Sequence, residues 1–175
     1  IFDYKTGHTE ATLAEIVAGL KLQLLTYLLV TKNLLARTED HERLPAAILY
    51  CLVKYKWWNT DVKASPEEIR KKFDKDLRMP GWVLADPEVI RSIDATGRFI
   101  PVRVTTKGEI NKNDRVRVKT KEEFNVLIDY VDRVLEKTGE AILSGDIAAS
   151  PYEKNGMTPC KYCLYRSLCG FDPTL

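Results

Sequence analysis

The hydrophobic pattern of this chain changes period several times, and each change marks an element. Residues 1–5, Ile-Phe-Asp-Tyr-Lys, alternate apolar and charged positions, the period-2 mark of a strand. This reading turns Phe2 and Tyr4 into a core. It sets Asp3 and Lys5 on the other face, about 7 Å apart along the strand. Thr6-Gly7-His8 reads as a turn, and Thr9 and Thr12 are both candidate N-caps for a helix. From Leu13 to Leu35 the period is helical, interrupted at Gly19. Its leucines cover most of the circumference, which predicts a largely buried helix. Residues 38–43 form a charged loop, and Ala46–Tyr55 reads as a second core strand.

The second half has clearer punctuation. Ser65-Pro66-Glu67-Glu68 starts a helix, with Ser65 as N-cap, proline at the first helical position and acids in the first turn. Pro80-Gly81 ends that segment. Asp86-Pro87-Glu88 starts a shorter helix running to about Asp94. Phe99–Val104 and Arg115–Val118 suggest two short strands with a turn near Gly108. Thr120 and Glu123 form a capping box ahead of an amphipathic helix. In that helix Phe124, Leu127, Ile128, Val131, Val134 and Leu135 share one face as far as about Leu143. The tail is irregular.

Composition narrows the class without naming it. A chain of 175 residues can bury one sizeable core, and 45% apolar with 30% charged residues is ordinary for a globule. The net charge of +2 provides no global basic field, so any nucleic-acid contact must come from local patches. No signal peptide is present and no apolar run is long enough for a bilayer, which predicts a cytoplasmic protein without membrane contact.

Three groups of residues carry candidate chemistry. Asp3 and Lys5 offer an oxygen ligand for a hard cation beside a fixed positive charge, although an incidental ion pair on an edge strand has the same spacing. Gln23 and Tyr27 stand one helical turn apart, so they share a face, and a buried amide there must find partners or cost roughly 1–3 kcal/mol. Cys160, Cys163 and Cys169 have the close spacing of soft-metal or iron–sulfur ligands, with Tyr162, Leu164, Tyr165, Leu168 and Phe171 as an apolar shell. Free thiols, or one disulfide plus a thiol, remain open. Three thiolates also leave a fourth position to Cys51, His8, His41, a non-protein ligand or a residue outside this chain. A basic and aromatic run, Lys54, Tyr55, Lys56, Trp57, Trp58 and Lys63, suits stacked bases and phosphates, and equally a partner surface or a loop anchored by tryptophan.

Taken together, these residues resemble the RecB-type branch of the PD-(D/E)xK nuclease superfamily. Asp3-Tyr4-Lys5 matches the (D/E)xK half of its signature and Gln23-x3-Tyr27 its QxxxY motif. Within that branch the chain is similar to the C-terminal nuclease domain of the AddB family of helicase–nuclease subunits. The likeness extends over Gly19–Leu28, Ala47–Tyr50, Thr96–Pro101, Ile142–Asp146 and Thr158–Pro173, essentially the whole chain. The resemblance implies an α/β fold, a partial restriction-endonuclease-like core with a mixed central sheet flanked by helices. In it residues 1–146 are the nuclease-core portion, without its first helix and strands, and 147–175 a cysteine-rich segment.

The same resemblance implies a Mg²⁺-dependent DNA exonuclease acting in double-strand break repair and recombination, beside an AddA-type helicase–nuclease subunit. Asp3 is then the Mg²⁺ ligand, Lys5 the catalytic lysine, and Gln23 and Tyr27 accessory catalytic residues. Cys160, Cys163 and Cys169 become ligands of a [4Fe–4S] cluster whose fourth cysteine lies upstream of this chain. Cys51 falls at a strand position and is not recruited. A further acidic ligand is also expected upstream, so the chain by itself is expected to bind metal weakly and cleave poorly. A stand-alone CRISPR-associated RecB-like exonuclease and a catalytically inactive DNA-binding or scaffolding module are the other readings. Residues 86 to 146 favour the AddB family over the former.

Overall fold

A computed structural model describes residues 1–7, 10–37, 44–53, 63–153 and 158–171. It divides into two compact units, Ile1–Arg133 and Val134–Leu175. The first holds a mixed four-stranded sheet in the order β1 (Phe2–Lys5), β2 (Ala47–Leu52), β3 (Gly81–Leu84) and β4 (Val118–Lys119). β1 runs parallel to β2, β3 runs antiparallel to β2, and β4 runs parallel to β3. Helices flank the sheet, so the α/β class expected from the sequence holds.

The register gives the sheet two apolar faces. Ile48, Tyr50, Trp82 and Leu84 pack with Ile16 of α1 (Leu13–Val17) and with Leu24, Leu25, Leu28 and Leu29 of α2 (Gln23–Leu35). Phe124, Ile128 and Val131 of α5 (Lys121–Leu143) close the same core. Each such side chain contributes about 1.5–3 kcal/mol on burial. On the opposite face Ala47, Leu49 and Val83 pack with Ile90 of α4 (Pro87–Ile93), Ile100 and Val102. α3 (Pro66–Asp76) starts at the expected Ser65 cap.

The helical run from Leu13 splits where glycine predicted. Gly19 adopts φ +76°, a conformation open to glycine at low cost, and Lys21 at φ +54° completes the break. α2 is half buried rather than enclosed, because Val30, Leu34 and Tyr27 face outward. The strand expected at Phe99–Val104 is instead a chain of bends with one antiparallel bridge, Val104 to Ile110. Asp94 organises those bends. Its carboxylate accepts from Thr96 N at 3.0 Å, Thr96 Oγ1 at 2.5 Å, Phe99 N at 2.7 Å and Ile100 N at 3.2 Å. Backbone donors that a strand would give to a neighbour are taken by one side chain here. Likewise Lys112–Arg117 forms a 3-10 turn and only Val118–Lys119 pairs as strand.

The sequence does not predict β3, because Pro80-Gly81 reads as a terminator. Gly81 instead opens the strand at φ +148°, where a Cβ would lie 2.1 Å from the Ile48 carbonyl oxygen. Only glycine lets β3 approach β2 this closely.

Candidate active site

β1 departs from expectation in a way that places the site. Phe2 and Tyr4 do not enter a core; they are 53% and 70% exposed. Pairing puts Phe2 beside Leu49 and Tyr4 beside Cys51, on the sheet face whose core lies further in, under α4. Within the described sheet β1 is an edge strand, and that core does not reach it. The inward face of β1 belongs to Asp3 and Lys5, which sit beside Tyr50 and Leu52 under the face that carries α2.

The four residues form one connected row. Lys5 Nζ lies 2.7 Å from Asp3 Oδ2, with side chains 32% and 12% exposed. The same ammonium donates to Gln23 Oε1 at 2.8 Å. Gln23 Nε2 then donates to the Tyr27 hydroxyl at 2.8 Å. Gln23 opens α2 and Tyr27 lies one turn on, so the helix holds both toward the strand. Gln23 is exposed, not buried, yet both ends of its amide are engaged. Among the described residues Asp3 Oδ2 is buried and accepts no hydrogen bond of good geometry; the ammonium is its counter-charge. A buried carboxylate oxygen with spare lone pairs is the donor a hard cation takes.

Two groups that sequence reasoning passed over stand at this row. Tyr50, 2% exposed, is the register partner of Asp3. Burial raises its phenol above the usual range, and the charges of Asp3 and Glu15 push it further, so it stays a neutral hydroxyl at neutral pH. Glu15 was legible as the partner of Thr12 in a capping box, which the structure contains. Its charge reaching Tyr50 was not, because only the α1–β2 packing brings them together.

The other candidates stand apart from this row. Cys160 lies in a 3-10 turn, Pro159–Tyr162, and Cys169 ends α6, Arg166–Cys169, with Cys163 between them. All are free thiols, as is Cys51. Among the described residues no three His, Cys, Asp or Glu side chains are gathered to hold a metal ion. The expected apolar shell is not formed, for Tyr162, Leu164, Tyr165 and Leu168 are 81%, 92%, 69% and 83% exposed. Hydrogen bonding along this segment is local, as in Cys163 N to Cys160 O at 3.3 Å, and no core draws its aromatics inward. His8, His41 and the run from Lys54 to Val62 lie outside the described residues. Among the described residues no helix is long and apolar enough to cross a membrane.

Comparison with known proteins matches residues 1–170 to the PD-(D/E)XK nuclease superfamily. The B subunit of an ATP-dependent helicase/deoxyribonuclease of Desulforamulus reducens is 40% identical over 179 residues, covering 100% of this chain and 15% of the relative. Proteins of the same name from Acetivibrio thermocellus and Listeria welshimeri are 35% and 34% identical, again over 100% of this chain, with 15% and 16% of their own length covered. The chain thus spans about 15% of the length of the first of these relatives.

Proposed function

Because this chain belongs to the PD-(D/E)XK nuclease superfamily, we propose that it is the nuclease module of a longer bacterial helicase–nuclease subunit, a Mg²⁺-dependent DNA exonuclease. One observation carries the reading. Asp3, Lys5, Gln23 and Tyr27, far apart in sequence, form a single row of contacts at 2.7, 2.8 and 2.8 Å on one sheet face. The repair and recombination role, the AddA-type partner and the cytoplasmic location belong to the same proposal, supported by the names of the relatives.

Asp3 is the residue that would hold Mg²⁺, and its buried, hydrogen-bond-free Oδ2 fits that use. Mg²⁺ commonly takes one or two carboxylates and completes its shell with water and substrate. When bound, the ion polarises a phosphoryl oxygen and acidifies a water. The protein's own part is electrostatic. Lys5 places a positive charge where the phosphoryl oxygens gain negative charge, and donates to the attacking water. Gln23 accepts from Lys5 and so holds the ammonium in place. Tyr27 accepts from Gln23, which sets the amide orientation and leaves the phenolic proton for a phosphate oxygen.

Cys160, Cys163 and Cys169 are the thiolates this chain offers to a [4Fe–4S] cluster, with the fourth ligand supplied from the longer protein. Their ungathered, exposed placement fits a segment whose folding is completed by its metal group. Anaerobic purification of the longer protein should yield iron and sulfide together; zinc alone would overturn the cluster.

The test of the nuclease reading is hydrolysis of single-stranded DNA by the longer protein. Activity should require Mg²⁺ and disappear in Lys5→Ala without loss of folding. Metal-independent DNA binding by a protein that never cuts would end this reading in favour of an inactive binding module.

A further inference from the structure

A second feature lies on the same sheet face as the Asp3–Lys5 row. A cavity of about 290 Å³ opens between the segment entering α1, the start of β3 and the approach to β4. Leu13, Trp82 and Val116 form its apolar wall, and Glu10, Arg117 and Lys119 bring charge to it. Gly81 lines it too, and with no side chain there the floor stays open.

The pairing register relates this cavity to the active row. Asp3 pairs with Tyr50, Ile48 with Trp82 and Leu84 with Lys119, so all six side chains share one face. At about 4.8 Å per strand, Trp82 stands roughly 10 Å across the sheet from Asp3 and Lys119 roughly 14 Å. These spans equal about three to four stacked nucleotides at ~3.4 Å each. Thr12 also lines the cavity and is capped by Glu15, whose charge reaches Tyr50 beside Asp3. The cavity and the active row are thus on one track.

The charges are prepared for an anion. The Lys119 ammonium rests 5.4 Å from the centre of the Trp82 ring. Its side chain is only 14% exposed, and Glu123 stands at 4.0 Å, the outer limit of an ion pair. Arg117 Nη1 meets Glu10 Oε1 at 3.2 Å, a half-exposed pair that a phosphate can replace. An indole wall beside two cations is the composition that binds unpaired nucleotides. The volume lies at the low end of small-molecule pockets, enough for one nucleotide and too narrow for a base pair.

We propose that this cavity seats one nucleotide of a single-stranded DNA substrate, its base against Trp82, Leu13 and Val116 and its phosphate on Lys119 and Arg117. The proposal deepens the nuclease reading and rests on it for the identity of the substrate. It makes the strand anchored here the one presented to Asp3 and Lys5. Glu10 becomes a counter-charge that the substrate must displace.

The test is fluorescence anisotropy of labelled oligothymidylate binding to this chain in EDTA, where hydrolysis is blocked. Lys119→Ala should weaken binding about tenfold and reduce the slope of log K against log salt by about 0.7, the value for one single-strand phosphate contact. Glu10→Gln should tighten binding several-fold, and a duplex of the same length should be insensitive to both changes. Unchanged affinity and slope in Lys119→Ala would overturn the subsite, as would equal losses for single strand and duplex. If Lys119→Ala fails to fold, Val116→Glu serves, since Val116 is 73% exposed at the rim. It should weaken single-strand binding, and no change would overturn the proposal.

Hydrolysis by the longer protein separates this inference from the nuclease reading. Cleavage with an unchanged KM in Lys119→Ala removes the subsite and leaves the nuclease. Lys119-dependent binding by a protein that never cleaves removes the nuclease and leaves the subsite.

Discussion

Gln23 provides the sharpest test of how the active row works, because it touches both Lys5 and Tyr27 and is itself exposed. Gln23→Leu keeps the side-chain size and deletes both amide contacts. The bond from the Lys5 ammonium, at 2.8 Å, is charge-assisted and belongs near the low end of about 1.5–3 kcal/mol at this partly exposed site. The bond to Tyr27, at 2.8 Å, joins neutral groups and adds about 0.5 kcal/mol. A loss of about 2 kcal/mol, at ~1.36 kcal/mol per decade, corresponds to roughly a 30-fold fall in kcat. Tyr27→Phe removes only the outer bond and should cost about two- to threefold. If Tyr27 acts through Gln23 and Gln23 through Lys5, the double variant should be no worse than Gln23→Leu alone. The assay is steady-state cleavage of a single-stranded oligonucleotide by the longer protein with Mg²⁺, with urea unfolding of each variant as a folding control. Stability should stay within about 0.5 kcal/mol, as for other exposed substitutions. A Gln23→Leu enzyme within twofold of the parent, or Tyr27→Phe and Gln23→Leu effects that multiply, would refute the row as a positioning device.

Three further outcomes test the fold that holds the row. Burial pushes the Asp94 carboxyl upward, but the bonds from Thr96, Phe99 and Ile100 outweigh it and hold the group below its usual range. Its stabilisation is therefore complete above the unfolded value of about 3.9 and is lost as pH falls through the lower folded one; Asp94→Asn should cost about 3 kcal/mol at neutral pH, and a gap in urea unfolding that stays undiminished in acid would contradict this. Gly81→Ala meets the Ile48 carbonyl and a φ of +148°, so it should destabilise by about 3 kcal/mol or more; a drop in Tm of only a degree or two would show that β2 and β3 can separate at low cost. Leu25→Ala, at a site 1% exposed, should cost about 2–5 kcal/mol in denaturant unfolding, and a value below about 1 kcal/mol would mean that α2 is not seated on the sheet.

What was legible in the sequence was local. Caps at Ser65, Asp86 and Thr120 start helices where their side chains can satisfy backbone donors two or three residues on. The break at Gly19 and the apolar stripe of α5 were equally plain, because both depend on neighbours within a turn or two. Asp3, Lys5, Gln23 and Tyr27 could be picked out as residue types and spacings, and the family resemblance joined them.

Only the tertiary structure decided which face of β1 turns inward. The alternation of Phe2, Asp3, Tyr4 and Lys5 is symmetric to a sequence reader, who assigns the aromatics to the core. At the edge of the described sheet the core on that side ends before β1, while α2 brings Gln23 against the other side. The ion pair is therefore the inward group and the aromatics the outward one. The same holds for β3, for the Asp94 knot and for Tyr50 beside Asp3. Each depends on contacts that local periodicity does not encode, and long-range pairing leaves no periodic trace in the strand that receives it.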